Sequence, residues 1–183
     1  MNGEVRYDLI SEFSFNLAEK VFLQETTIDE IVSNGDDIAE MIRVTARTIW
    51  KSGNYSDSDL ILKNIEIEES KLISKNILEF ISKTKNTDVT FKPMLKGYGY
   101  VPDLVADISI DDTLFEIKTV NRNFRSSDLK QLFIYLALKQ VSSEPNWVFA
   151  GLYNPRIGLY CKFNIQSLIY NLSGGKSPNE AFE

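Results

Sequence analysis

The sequence predicts an α/β protein with a mixed sheet flanked by helices, preceded by a helical extension. Three observations support this prediction. Helical periodicity dominates roughly the first eighty residues, strand-like segments follow them, and one amphipathic helix interrupts those strands. With 183 residues and 43% apolar side chains, the chain is long and apolar enough to build a core. We therefore expect a helical N-terminal extension over residues 1–62 and an α/β domain over residues 63–183 with the element order α-β-β-β-α-β.

Three helices are expected in the extension. Apolar residues recur every four positions at Leu9, Phe13, Leu17 and Val21, which indicates a first amphipathic helix. Thr27 and Glu30 have the spacing of a capping box that opens a short second helix. An apolar stripe from Ile38 to Trp50 indicates a third helix, and the polar residues 52–59 indicate a loop.

The α/β domain should begin with a longer helix from Ile65 to about Lys83, whose Leu72, Ile73, Ile77 and Phe80 face inward. Strand patterns then cover residues 88–94, 101–110, 113–120, 147–153 and 158–163. Between the third and fourth strands, Ser127 can cap a helix over residues 128–140 with a buried stripe at Leu129, Leu132, Phe133 and Leu136. A last short helix is expected near residues 166–171.

Composition excludes several kinds of site. The chain contains no histidine, so Ser-His-Asp triads, Cys-His pairs and HExxH zinc sites are impossible. A single cysteine, Cys161, cannot form an internal disulfide, no run of eighteen apolar residues occurs, and the N-terminus is polar. These features predict a reduced, cytoplasmic protein without a membrane span.

Charge is divided unevenly along the chain. The net charge is −6, yet residues 1–70 hold 15 acidic and 6 basic side chains, whereas residues 71–183 hold 11 acidic and 14 basic side chains. The second part, with a net charge of +3, is therefore compatible with an anionic partner although the whole chain is acidic.

The most informative residues lie on the predicted strands 101–110 and 113–120. Glu116 and Lys118 are two positions apart, so they share one face of a strand. A second carboxylate on the preceding strand would complete a site for a hard divalent cation and an attacking water.

Two residues compete for that second carboxylate. Asp103 follows Pro102, and we prefer it as the ligand, which requires a bulge in the hairpin. Asp107 fits simple hairpin geometry better, because a two-residue turn at Asp111-Asp112 places it directly opposite Glu116.

At these residues the chain resembles the PD-(D/E)xK nuclease superfamily. Pro102-Asp103 is similar to the PD element, and Glu116-Ile117-Lys118 to the (D/E)xK element. Gln131 and Tyr135 resemble the Q-xxx-Y motif of the RecB-like branch. The resemblance spans about residues 65–165 and implies a restriction-endonuclease-like fold with a Mg²⁺- or Mn²⁺-dependent deoxyribonuclease activity, used in DNA repair, recombination, restriction or phage defence.

The resemblance also implies roles for individual residues. Asp103 and Glu116 would ligate the metal, and Lys118 would orient the water and offset phosphate charge. A further Glu on the helix before the sheet would join them; Glu69 has the favoured spacing, and Glu66 and Glu68 are alternatives. Gln131 and Tyr135, one helical turn apart, would contact the site and the nucleic acid backbone.

Several basic residues could bind phosphates near this face. Arg122, Arg125 and Lys130 follow the (D/E)xK strand, and Lys92 and Lys96 precede it. We expect DNA as the partner of the domain, although these residues do not distinguish DNA from RNA. The acidic extension would dock the protein as a homodimer or as a subunit of a larger nuclease or defence complex. The alternative is a non-catalytic nuclease-fold subunit that binds nucleic acid or partner proteins.

Overall fold

The computed structural model describes residues 6–49, 61–84, 88–142 and 147–182. The chain divides into two compact units, residues 1–82 and 83–183. The boundary expected between residues 62 and 63 therefore falls inside the first unit. Trp50 and the predicted loop over residues 52–59 lie outside the described residues.

The N-terminal unit is helical. Its helices are α1 (Tyr7–Gln24), α2 (Ile28–Ser33), α3 (Gly35–Ile49) and α4 (Asn64–Lys83). The predicted stripe of α1 is buried at Leu9, Phe13, Leu17 and Val21 and packs with residues of α2 and α3. The capping box of Thr27 and Glu30 opens α2 as predicted.

Helix α4 packs with these helices instead of opening a separate domain. Ile67 and Leu78 pack against the core of α1–α3, and the Ser74 hydroxyl donates to the Ser14 carbonyl at 2.8 Å. Ile73, Ile77 and Ile81 form its buried face together with Glu66, Ser70 and Ser74. The prediction that Leu72 faces inward is wrong. Leu72 lies outside the buried face of the helix and is exposed to solvent.

The C-terminal unit is a five-stranded mixed sheet flanked by helices, in agreement with the predicted α/β class. Its sheet is made from β1 (Val89–Phe91), β4 (Ile108–Ile110), β5 (Thr113–Ile117), β6 (Phe149–Asn154) and β7 (Leu159–Asn164), adjacent in that order. Only β5 and β6 pair in parallel. Helix α5 (Leu129–Val141) connects them, as a parallel crossover requires.

A short second sheet replaces the ends of two predicted strands. Strands β2 (Met94–Leu95) and β3 (Leu104–Val105) pair as a separate hairpin. The predicted strand 88–94 breaks at Lys92, which has φ 51, and the predicted strand 101–110 breaks between Val105 and Ile108. The Ala106 amide donates to the Pro93 carbonyl at 3.0 Å. The two segments that leave the main sheet are therefore still paired with each other where they leave it.

The core of this unit lies between the sheet and α5. Leu114, Ala150 and Leu152 pack against Leu132 and Leu136. Gly151 of β6 has no room for a side chain, because an added Cβ would lie 2.4 Å from the Cys161 carbonyl oxygen and 2.6 Å from the Phe115 ring.

Two helices complete the unit. Helix α6 (Ile165–Leu172) confirms the last predicted helix, and α7 (Pro178–Phe182) follows it. No helix in the described ranges has the length and apolarity needed to cross a membrane.

Candidate metal centre

The site is built on β5, which lies in the middle of the five-stranded sheet. Glu116 occupies this strand and is only 2% exposed. The strand's pairing with β6 continues past its last residue, since the Lys118 amide donates to the Tyr153 carbonyl at 2.8 Å. Glu116 and Lys118 are thus held at the end of a central strand, where the pairing with β6 limits the movement of the backbone.

The structure places Asp107 directly against Glu116. Strands β4 and β5 pair without a bulge through Ile108↔Phe115, so the same register puts Asp107 opposite Glu116. The turn that joins them is the predicted Asp111-Asp112 pair, with Asp111 in the left-handed region at φ 50. The Asp107 carboxylate accepts a hydrogen bond from the Ile117 amide at 2.6 Å, which orients it toward β5.

Asp103, the preferred ligand in the sequence analysis, has a different environment. It is exposed on the loop before β3, and its carboxylate accepts the Gly97 amide at 2.7 Å. The bulge that would have brought Asp103 opposite Glu116 is absent from the described β4–β5 hairpin. Of the two alternatives, the structure therefore pairs Asp107 with Glu116.

The two carboxyl groups share a poorly hydrated environment. Burial, and then the negative charge of Glu116, raise the pKa of Asp107 to about 8. Burial also raises the pKa of Glu116, and the Lys118 ammonium offsets part of that effect. The carboxyl groups lie within hydrogen-bonding reach of each other. Two carboxylates approach this closely only when a proton or a cation lies between them.

Glu116 retains an unused acceptor. Its Oε1 accepts the Lys118 ammonium at 2.7 Å, whereas its buried Oε2 has no donor among the described residues. A buried carboxylate oxygen without a donor is costly, so it marks a place where a proton, a water or a metal ion belongs. The described ranges contain no group of three or more Asp, Glu or Cys side chains arranged to hold a metal ion, so the acidic group at this site is a pair.

Helix α5 adds a polar chain to this pair. The Lys118 ammonium donates to the Gln131 side-chain oxygen at 3.0 Å, and the Gln131 amide nitrogen donates to the Tyr135 hydroxyl at 2.5 Å. That hydroxyl donates in turn to the Val105 carbonyl at 3.1 Å. Burial raises the pKa of Tyr135 to about 12, and the nearby charges of Glu116 and Asp107 add to it. The two residues singled out on α5 therefore join the acidic pair through Lys118.

The predicted phosphate-binding residues differ in their environments. Arg122 forms a bidentate salt bridge with the buried Asp128, with nitrogen–oxygen distances of 2.7 and 2.9 Å. These bonds hold the pKa of Asp128 at about 2. Arg125 and Lys130 are exposed, as their predicted role requires, and Arg122 is engaged in structure instead.

The glutamates proposed as a third ligand all lie on α4 of the N-terminal unit. Glu66 is fully buried and accepts bonds from the Arg6 guanidinium at 2.6 and 3.0 Å and from the Lys63 amide at 2.9 Å. Glu68 is exposed near Lys71, and Glu69 is half-buried. Structural bonds therefore account for Glu66, and a role for Glu69 stays a prediction.

Two residues that help to position the site were given no role from the sequence. Asp128 is the first residue of the predicted helix 128–140, and Asn154 directly follows the predicted strand 147–153. Asn154 is fully buried and donates to the Val120 carbonyl at 2.7 Å and the Arg122 carbonyl at 3.3 Å. It thereby fixes the segment that follows Lys118. The one local signal for Asn154 in the sequence is its position after a run of apolar residues and directly before Pro155.

Comparisons of the chain with protein-family models, with curated proteins and with solved structures found no match.

Proposed function

We propose that the protein is a Mg²⁺- or Mn²⁺-dependent deoxyribonuclease with a restriction-endonuclease-like fold, similar to the RecB-like branch of the PD-(D/E)xK superfamily. The observation that carries the proposal is the apposition of Asp107, directly before β4, and Glu116 on the adjacent strand β5, with Lys118 at 2.7 Å from Glu116. This is the second of the two ligand pairs that the sequence allowed, with Asp107 in the place first given to Asp103.

The residues present suit a small hard cation. Carboxylate oxygens are its preferred ligands, and Mg²⁺ commonly uses one or two carboxylates while waters and substrate phosphate oxygens fill its other positions. The donor-free Oε2 of Glu116 and the adjacent carboxyl of Asp107 supply such a pair. When bound, the ion would polarise the scissile phosphate and lower the pKa of a bound water.

The other groups have complementary tasks. The Lys118 ammonium, held by Glu116 and Gln131, lies where it can orient a water and offset charge that develops on phosphate oxygens. Gln131 keeps Lys118 in place, and the rigid α5 backbone keeps Gln131 in place. Exposed Arg125 and Lys130 are available to position the phosphate backbone.

The alternative of a non-catalytic nuclease-fold subunit is less well supported. A subunit that only binds has no need for a buried Glu116 and a half-buried Asp107 that repel each other, and replacement by apolar residues would remove that cost. The assembly of Asp107, Glu116 and Lys118 therefore favours catalysis over binding alone.

Replacement of Glu116 by Gln tests the proposal. The side chain keeps its volume but loses the charge that the cation requires, so DNA cleavage in Mg²⁺ or Mn²⁺ should fall by at least about a hundredfold, as when a principal electrostatic catalytic group is removed. Single-stranded, duplex and branched DNA, each with Mg²⁺, Mn²⁺ or EDTA, form the substrate panel.

The matched control is Glu180→Gln, which alters an exposed carboxylate on α7 that is bonded to Ser177. It should cleave like the wild type. If Glu116→Gln retains more than a tenth of wild-type activity, the metal-site assignment is wrong. If the wild type cleaves nothing but binds DNA, the non-catalytic alternative holds.

A further inference from the structure

The hairpin of residues 94–105, which we call the aromatic hairpin, exposes an unusual amount of apolar surface. Tyr100 at its tip is completely exposed, Tyr98 is 67% exposed, and Met94, Val101 and Val105 are exposed as well. Folded domains seldom leave a concentrated apolar patch on a short segment unless it contacts something. Lys96 is also exposed on the same segment.

The tip of the aromatic hairpin is tightly constructed. Tyr98 and Val101 form a β-bridge around Gly99, which has φ +61. Gly97 approaches the returning chain so closely that an added Cβ would lie 2.3 Å from the Val101 carbonyl oxygen. The Asp103 carboxylate closes this loop by accepting the Gly97 amide. The two rings are therefore presented on an ordered support, which reduces the entropy lost on binding.

The hairpin leads directly into the candidate metal centre. Val105, its last residue, accepts the hydrogen bond of Tyr135, and Asp107 follows two positions later. Leu95 and Leu104 pack with α5 in the same core as Tyr135. The six steps along the chain from Val101 to Asp107 span at most about 20 Å at about 3.3 Å per step. A strand of about five or six stacked nucleotides covers that distance at about 3.4 Å each.

A groove of about 270 Å³ borders Tyr98. Its lining residues are Tyr98, Gln140, Val141, Asn179 and Phe182, and the Gln140 side-chain nitrogen donates to the Asn179 side-chain oxygen. Aromatic rings together with amides match the chemistry of a nucleobase, which has an apolar face and a hydrogen-bonding edge.

We propose that the aromatic hairpin is a stacking platform for single-stranded DNA, which holds bases within about six nucleotides of the phosphodiester at the metal centre. This inference rests on the proposed nuclease function and adds the form of the substrate. Exposed tyrosines bind unpaired bases because every base presents a π face, whereas the bases of a duplex are already stacked on one another. Lys96 contributes a phosphate contact beside the rings.

The test uses the full chain and three variants. Tyr98→Ala/Tyr100→Ala removes both rings, Tyr98→Phe/Tyr100→Phe keeps the rings without the hydroxyls, and Tyr170→Ala removes a ring with 59% exposure on α6 as the matched control. Fluorescence anisotropy in EDTA measures affinity for a twelve-nucleotide oligothymidylate and a blunt twelve-base-pair duplex. Cleavage in Mn²⁺ is measured on the twelve-nucleotide strand and on a trinucleotide, which spans only about 10 Å at the same rise per nucleotide.

The double Ala variant should bind the single strand about tenfold or more weakly. Its duplex affinity, trinucleotide cleavage and melting temperature should match the wild type, because the rings are exposed. The Phe variant and Tyr170→Ala should behave like the wild type on every substrate.

Three results would overturn the inference. If the double Ala variant binds the single strand as tightly as the wild type, and the wild type cleaves DNA, the hairpin is not a stacking platform. The nuclease proposal is then unaffected. A loss as large in the Phe variant as in the Ala variant shows that hydroxyl contacts, and not stacking, are responsible. A wild type that neither binds nor cleaves any oligonucleotide overturns both proposals.

Discussion

At the scale of single residues, the structure pairs Asp107, and not the preferred Asp103, with Glu116. Asp107 lies against Glu116, whereas Asp103 closes the turn of the aromatic hairpin through Gly97. Asp107→Asn should therefore remove metal-dependent cleavage and weaken Mn²⁺ binding. Asp103→Asn should keep both at the metal centre, because the amide oxygen can still accept the Gly97 bond. Calorimetric titration with Mn²⁺ and cleavage of a trinucleotide separate the two variants, and the reverse ranking would restore Asp103 as the ligand.

The shared environment of Asp107 and Glu116 also predicts how stability depends on pH without metal. The folded state holds a proton on Asp107 up to a pKa of about 8, whereas in the unfolded chain this carboxyl releases it near its ordinary value of 3.8. Between these values the folded state binds more protons, so this contribution to stability is complete below about pH 4 and is lost progressively toward pH 8.

Melting temperatures in EDTA from pH 5 to pH 8 measure this loss. The wild type should lose stability relative to Asp107→Asn as the pH rises, since the amide does not titrate. Addition of Mg²⁺ should restore stability most at the high end of the range. Parallel pH profiles for wild type and variant would show that Asp107 is ionised in the folded protein.

At the scale of elements, the link between β5 and α5 depends on the Arg122–Asp128 pair. Asp128 accepts two bonds from Arg122 and one from the Arg125 amide at 2.8 Å, so it fastens the start of α5 to the segment after Lys118. Asp128→Ala should lower the free energy of unfolding by about 1.5–3 kcal/mol, the range for a hydrogen bond to a charged group. It should also slow cleavage, because Gln131 would no longer be fixed beside Lys118.

Lys130→Ala provides the comparison for that experiment. Lys130 is exposed on the same helix, so its loss should leave urea unfolding unchanged while weakening DNA binding slightly. If Asp128→Ala unfolds at the same urea concentration as the wild type, the pair does not fasten these elements.

The same scale shows how far the sequence could predict the site. Gln131 and Tyr135 are one helical turn apart, and this local spacing correctly placed them on one face of α5. The two-residue turn at Asp111-Asp112 is also a local feature, and it indicated Asp107 as the residue opposite Glu116. The preference for Asp103 required a bulge, whereas the chain leaves the main sheet between Val105 and Ile108 and the Asp103 carboxylate binds the Gly97 amide. The Arg122–Asp128 pair could not be predicted, because these two residues meet only once the turn between them is folded.

At the scale of the whole molecule, charge distinguishes the two compact units. Residues 1–82 carry 16 acidic and 8 basic side chains, a net charge of −8, and residues 83–183 carry 10 acidic and 12 basic side chains, a net charge of +2. Only the second unit has a net positive charge, which favours binding to the DNA phosphates. A docking role for the acidic N-terminal unit, in a homodimer or a larger complex, stays a prediction.

Few cations are therefore available for DNA, and the salt dependence of binding should be shallow. Lys96, Arg125 and Lys130 are exposed in the C-terminal unit near the proposed path of the strand. Three phosphate contacts predict that the logarithm of the single-strand association constant falls with the logarithm of salt concentration with a slope of about −2. Anisotropy titrations between 50 and 300 mM salt measure this slope. A slope steeper than about −4 would require a basic surface that these residues do not form.

Gly151 makes one position unusually informative for mutational scanning. An added methyl group there would press on the Phe115 ring and on the Cys161 carbonyl, and Phe115 is the immediate neighbour of Glu116 on β5. A mutational scan for loss of cleavage would therefore rank Gly151 beside Glu116, although glycine has no side chain that could take part in the reaction. Intolerance to substitution at this position measures the rigidity that the central strands impose on the carboxyl pair.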